Sequence, residues 1–282
     1  MTRLGAYLLI AATLAFLASM TIYALMPVSG NATGGLARPP MSIINGAAPI
    51  VLTDLFLRPR SAALLLMMVL TGAALAWHAY CRFQDMRRLR LAETTGRARR
   101  SAWRSPVSAG PPTADEVLEW HRGDVSVAEN GLVIGGLMAG ALCPWLVADR
   151  PVAALVMALL MLTGFLGAAV RGVRRGFHVS RSSALGFAAG WATLIAFAVF
   201  ITLVQKTLGV SLTLSAILGL TIAGFVSVAV QLRLGRNIAY SAAIILGMIG
   251  IAAGTVAASP ALATMSVLAI AAIVVALVQV TT

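Results

Sequence analysis

SALGFAAGWATLIAFAVFITLVQ, residues 183–205, runs for twenty-three positions without a charged side chain. As an α-helix rising about 1.5 Å per residue it measures about 35 Å, enough to cross the roughly 30 Å hydrocarbon core of a bilayer. Lipid offers no partner for backbone amides and carbonyls, so such a segment crosses as a helix.

Seven further stretches of the same kind lie on either side of it: 4–26, 62–81, 131–148, 152–170, 211–232, 237–257 and 260–280. None has an acidic residue or an arginine in its middle, and the whole chain is 60% hydrophobic but only 11% charged. That balance excludes an ordinary soluble domain. The expected fold is all-α, a polytopic bundle of about eight membrane-spanning helices. Pro151 and Pro260 stand where helices begin, a position that needs no amide proton. The stretch 131–148 is the least apolar, diluted by Gly131, Gly135, Gly136 and Gly140 and carrying Pro144 near its end. The first stretch has one arginine before it and no small-x-small cleavage site, which reads as an uncleaved anchor.

Orientation follows from the basic residues. CRFQDMRRLRLAETTGRARRSAWR, residues 81–104, holds eight arginines and two acids. Basic loops stay in the cytoplasm, and alternation from this one places both termini there. Sixteen of the twenty-one basic residues then fall on the cytoplasmic side; Arg38, Arg58, Arg60, Arg150 and Lys206 fall outside. Twenty arginines against one lysine, with abundant alanine, point to a GC-rich bacterium and hence to its inner membrane.

Three units result: a two-helix membrane unit at 1–81, a cytoplasmic segment at 82–130, and a six-helix membrane bundle at 131–282. The outer loop 27–61 contains the apolar run Pro49–Leu57, too short to span and expected to lie at the interface or dock on the bundle. The cytoplasmic segment is basic and then acidic. Its first part is expected to continue the second span along the membrane surface, with Arg87, Arg88, Arg97, Arg99 and Arg100 on anionic lipid headgroups, each worth about 1 kcal/mol there. Lipid phosphates are nearer than any nucleic acid, and no nucleic-acid-binding fold accompanies the run. In PPTADEVLEWHRGD, residues 111–124, Thr113 and Glu116 form a capping pattern and Gly123 is placed to end a short helix.

Reactive groups are sparse. All nine acids fall outside the predicted spans, and His78, His121 and His178 show no metal-ligand spacing. His78 stands beside Trp77 and Tyr80 near a helix end, where aromatic residues form the interfacial belt. Cys81 and Cys143 are expected at opposite faces and unpaired. No catalytic group, metal or cofactor is expected. Without ionisable groups inside the spans, an ion-coupled transporter is disfavoured.

Small residues four apart recur: Gly136 and Gly140, Gly164 and Ala168, Gly186 and Gly190, Gly219 and Ala223, Gly250 and Gly254. They let helix backbones approach closely. With Gly247, the last pair forms a stripe on one helix face, expected to be a packing surface.

The stretch SSALGFAAGWATLIAFAVFITL, followed after another span by GRNIAYSAAIILGMIGIAAG, resembles the long bacterial relatives of the tryptophan-rich sensory protein, or translocator protein, family. The likeness covers residues 150–282 and centres on Gly190-Trp191 and on Tyr240 to Ala252. The family's helices are rich in tryptophan and proline, whereas Trp191 is the one tryptophan in the last hundred residues here. The resemblance implies a porphyrin- or sterol-like ligand in an intramembrane cleft at Trp191 and Gly190. The residues themselves favour a non-catalytic accessory or scaffold subunit of a membrane assembly, with lipids and other membrane proteins as partners. A lipophilic-ligand binder stands second, and a membrane enzyme built on the acids and His121 of the cytoplasmic segment third.

Overall fold

The computed structural model describes residues 3–26, 52–59, 61–102, 114–174, 179–235, 237–256 and 259–281, with the backbone alone at 3, 85, 88–102, 114–129, 172–174, 179–182, 212 and 280–281. The described residues form helices and short connections with no strand. The helices are α1 (Arg3–Leu25), α2 (Leu52–Leu57), α3 (Ala62–Ala102), α4 (Ala114–Leu146), α5 (Pro151–Arg174), α6 (Val179–Leu208), α7 (Leu212–Leu234), α8 (Ile238–Thr255) and α9 (Pro260–Thr281).

Seven of these are long and apolar enough to cross a membrane: Leu4–Leu25, Ala62–Gln84, Pro151–Arg171, Ser183–Leu208, Thr213–Leu234, Ile238–Thr255 and Pro260–Gln279. The chain is a multi-pass membrane protein. The eighth expected span, 131–148, is the shorter apolar part of α4, Asn130–Leu146. It nonetheless packs within the bundle, between α1 and α5. Pro151 and Pro260 open α5 and α9, as expected.

Helix α6 is the axis of the bundle. In its apolar window 72% of residues are buried, against 28–50% in the other six spans. It packs on α2, α3, α5, α7 and α8, and the remaining contacts form a ring around it: α5 on α4, α4 on α1, α1 on α3, α3 on α8, α8 on α9, α9 on α7, and α7 back on α5. The sequence reason is size. Gly186, Ala188, Ala189, Gly190, Ala192, Ala196 and Ala198 keep α6 thin on several sides, so neighbours can close on it from all round.

Two ends of the bundle are distinct. At one end the Tyr7 and Phe83 rings pack 6.4 Å apart, which places the start of α1 beside the basic part of α3. At the other, Lys206 Nζ donates to the carbonyls of Val147 at 3.3 Å and Ala148 at 3.1 Å, joining the C-terminal ends of α6 and α4. There too Trp145 Nε1 donates to Ser19 Oγ at 2.9 Å, and Arg58 stacks 4.7 Å over the Tyr23 ring while its Nε donates to Tyr23 O at 3.3 Å. The described part of the apolar run Pro49–Leu57, α2, docks on the bundle: Leu52, Thr53, Phe56 and Leu57 are buried, and Thr53 and Thr202 hydroxyls lie 3.4 Å apart.

Two helices outrun the bundle. Helix α3 continues unbroken for eighteen residues past Gln84, and α4 starts sixteen residues before Asn130. The short helix expected to end at Gly123 is therefore corrected: it runs on through Gly123 into the bundle. A glycine inside a helix costs only about 1 kcal/mol relative to alanine, too little to break a helix continued on both sides.

Candidate functional site

Gly190 and Trp191, adjacent on α6, are about 100° apart around the helix and meet different neighbours. A Cβ on Gly190 would stand 2.7 Å from Tyr240 O and from Ala243 Cβ, so its lack of a side chain lets α8 press directly on α6. Trp191 is 2% exposed and its ring meets Phe16 of α1 edge-on, centroids 5.8 Å apart. Both are packed between helices, and neither lines the two cavities described below.

Gly247, Gly250 and Gly254 share the face of α8 that meets the rest of the chain. A Cβ on Gly247 would collide with Leu194 of α6, and one on Gly250 would stand 2.5 Å from Leu64 Cγ of α3. One on Gly254 would sit 3.6 Å from Leu55 of α2. At Gly247 and Gly250 the stripe is filled by the protein's own leucines, whereas Gly254 is exposed.

Several polar groups at the α6, α7 and α8 junction bond to one another. Ser241 Oγ donates to Gln231 Oε1 at 2.7 Å, and Gln231 Nε2 donates to Gly235 O at 2.8 Å. Gly235 ends α7 with φ +58°, a positive value that glycine adopts without steric cost. Thr193 and Tyr240 hydroxyls are 3.2 Å apart, and Gly186 makes room for the Asn237 side chain. The signal for this junction in the sequence is the pair of amides, Gln231 and Asn237, flanking the Gly235 turn.

On α3, Trp77 and Tyr80 are exposed with ring centroids 5.9 Å apart, whereas His78 between them is 2% exposed and turned into the bundle. Arg82, one turn on, is buried as well. Among the described residues no three of His, Cys, Asp and Glu gather at a point. Cys143 is buried and donates its thiol to Ala154 O at 3.6 Å; Cys81 is half-buried on α3. Arg87 is exposed, its guanidinium 5.8 Å from the Phe83 ring centre. Arg88, Arg97, Arg99 and Arg100 lie on α3 but their side chains fall outside the described residues.

A groove of about 460 Å³ lies between α7 and α9. Leu220, Phe225, Val228, Leu268, Ala272 and Val275 line it, with Gln279 at one end. Phe225, Leu268 and Val275 are exposed on its rim, so it opens sideways to the surrounding lipid. Its one hydroxyl, Thr221, donates to Ile217 O of its own helix at 2.7 Å, leaving an apolar surface. A second cavity of about 220 Å³ lies between α1 and α3, bounded by Ile10, Leu14, Tyr80 and Phe83.

Comparison with protein-family models, with curated proteins and with solved structures finds no match.

Proposed function

We propose that the chain is a non-catalytic integral membrane protein that serves as an accessory or scaffold subunit of a membrane assembly. One observation supports this most: the bundle closes on its central helix, while α3 and α4 project beyond it at one end. At about 1.5 Å per residue those extensions reach roughly 25 Å past the apolar core, a length suited to holding a partner at a set distance from the membrane. This reading counts Asn130–Leu146 as an eighth crossing, with both termini and the arms in the cytoplasm of a bacterium and the protein in its inner membrane. Arg87 and Arg88, nearest the bundle, are the residues for anionic lipid headgroups.

The test compares the full chain with a variant in which residues 85–129 are replaced by a short Gly-Ser linker, both extracted from native membranes in mild detergent. The full chain should migrate as a larger assembly and the variant as the bundle alone. One identical size for both refutes the reading.

The α7–α9 groove favours a second reading, a binder of a lipophilic molecule. Its volume lies within the roughly 300–1,000 Å³ of small-molecule sites, and its lining is apolar with one amide at the end. Trp191 and Gly190, the residues implied by the likeness to the translocator protein family, sit elsewhere, so this reading rests on the groove. Native mass spectrometry should show a retained lipophilic species that Ala272→Trp displaces; equal retention by both proteins removes the reading.

A further inference from the structure

The projecting part of α3, residues 85–102, carries six arginines and two acids, a formal net charge of +4; the projecting part of α4, residues 114–129, carries five acids and one arginine, a net charge of −4. Both leave the same end of the bundle. Their lengths beyond the apolar core, eighteen and sixteen residues, correspond to about 27 Å and about 24 Å, so the two arms are nearly equal in length.

Height along the two arms can be counted in residues from Gln84 and from Asn130. Arg90 and Asp124 are each six residues out, and Arg99 and Asp115 each fifteen. Arg97 is thirteen out and Glu119 eleven; Arg100 is sixteen and Glu116 fourteen. The exceptions match too: Glu93, nine out on the basic arm, stands level with Arg122, eight out on the acidic arm. We infer that the two arms pair as an antiparallel helical hairpin, so that the partner of the arginine run is the acidic extension of α4 in the same chain.

Geometry permits the pairing. In the ring α3 and α4 flank α1, which begins at Arg3, only one turn beyond the Tyr7 ring that meets Phe83. Lipid headgroups are a poorer match for the distal arginines. No proline interrupts α3, and its one glycine past Gln84 is Gly96, so Arg97, Arg99 and Arg100 lie about 20 Å or more along the helix from its apolar part. An anionic membrane would also repel the acidic arm that is tied to them.

The experiment uses the full chain in detergent and in zwitterionic vesicles, with Cys81→Ser and Cys143→Ala removing the native thiols. Ala98→Cys with Val117→Cys forms a level pair, fourteen and thirteen residues out; Ala98→Cys with Val127→Cys is off level by eleven. A short bis-maleimide should link the level pair within one chain and leave the off-level pair unlinked. High salt should lower the yield, and Arg97→Glu, Arg99→Glu and Arg100→Glu together should lower it about tenfold, as loss of several exposed ion pairs allows. Adding Asp115→Lys, Glu116→Lys and Glu119→Lys should restore it. The inference is overturned by equal yields for both pairs, by a yield that neither salt nor charge reversal moves, by links between two chains, or by loss of the link in anionic vesicles, which would assign the arginines to headgroups.

Discussion

Replacing Gly190 by alanine puts a Cβ 2.7 Å from the carbonyl oxygen of Tyr240, and that oxygen belongs to the backbone of α8. A backbone cannot rotate out of the way, so α6 and α8 must separate. Overpacking of this kind costs about 1–3 kcal/mol, and the gain of up to about 1 kcal/mol from exchanging glycine for alanine in a helix offsets only part of it. Gly164→Ala should behave alike, because its Cβ would stand 2.6 Å from the carbonyl of Leu132 on α4. Gly250→Ala should cost less, since the obstacle is the Leu64 side chain, whose atoms can shift by rotamer. Gly254→Ala meets Leu55 at 3.6 Å, an ordinary contact, and should be neutral or slightly stabilising. Thermal unfolding of the four purified variants in one detergent should therefore rank Gly190→Ala and Gly164→Ala lowest, Gly250→Ala between, and Gly254→Ala at or above the parent. If Gly190→Ala and Gly254→Ala melt together, the close approach of α6 and α8 is not part of the folded protein and the central place of α6 falls with it.

Gln231→Leu should destabilise by about 1–3 kcal/mol in the same assay, because it strands the Ser241 hydroxyl and the Gly235 carbonyl; a parent-like melting curve would rule out that junction. Lys206→Met should release the C-terminal end of α4, read as faster labelling of buried Cys143 by a thiol reagent, with unchanged labelling counting against the Lys206 clamp. In a protein lacking both native cysteines, a thiol at Ser105 should react only from the cytoplasm and one at Gly35 only from outside; external reagent reaching position 105 in intact cells would reverse the orientation.

The spans were legible because the signal is one-dimensional. A run without charge that is long enough to cross a bilayer needs no knowledge of its neighbours, and Pro151 and Pro260 mark helix starts by a property of their own backbone. The docking of α2 was legible as one of two alternatives, since a nine-residue apolar run has few places to go. The junction built on Gln231 and the inward turn of His78 were not, because both depend on which way a helix is rotated, and Trp77, His78 and Tyr80 read alike in a string. The end of the helix around Gly123 was misread for a different reason. A glycine is permitted at a helix end and tolerated in its middle, and only the continuation to Asn130 and beyond distinguishes the two.

Which helix occupies the centre is the deeper case. In water a buried helix is more apolar than a surface one, and hydropathy ranks them. In a bilayer the surroundings are as apolar as the core, so that ranking is lost. Helix α6 has a mean hydropathy of 2.2, close to the 2.1 of α7 and below the 2.7 of α9, yet 72% of its window is buried against 39% and 33%. What separates them is shape. Around α6 the small positions fall on several faces, with Gly186 toward Asn237, Gly190 toward Tyr240, and Ala188, Ala189 and Ala192 wholly buried. Helix α9 instead presents Val267, Leu268, Val274, Val275 and Val278 to lipid. Small residues on every side mark a helix whose neighbours must all come close, whereas bulky aliphatic residues on one side mark a lipid face. Applied to α8, the same criterion places Gly247 and Gly250 against α6 and α3 and so assigns that part of the stripe to the protein's own interior, while Gly254 is exposed beside Leu55 of α2. A second membrane protein docking on this chain would then use other faces, among them the α7–α9 groove, the projecting arms and the exposed aliphatic side of α5 at Val152, Val156 and Leu159.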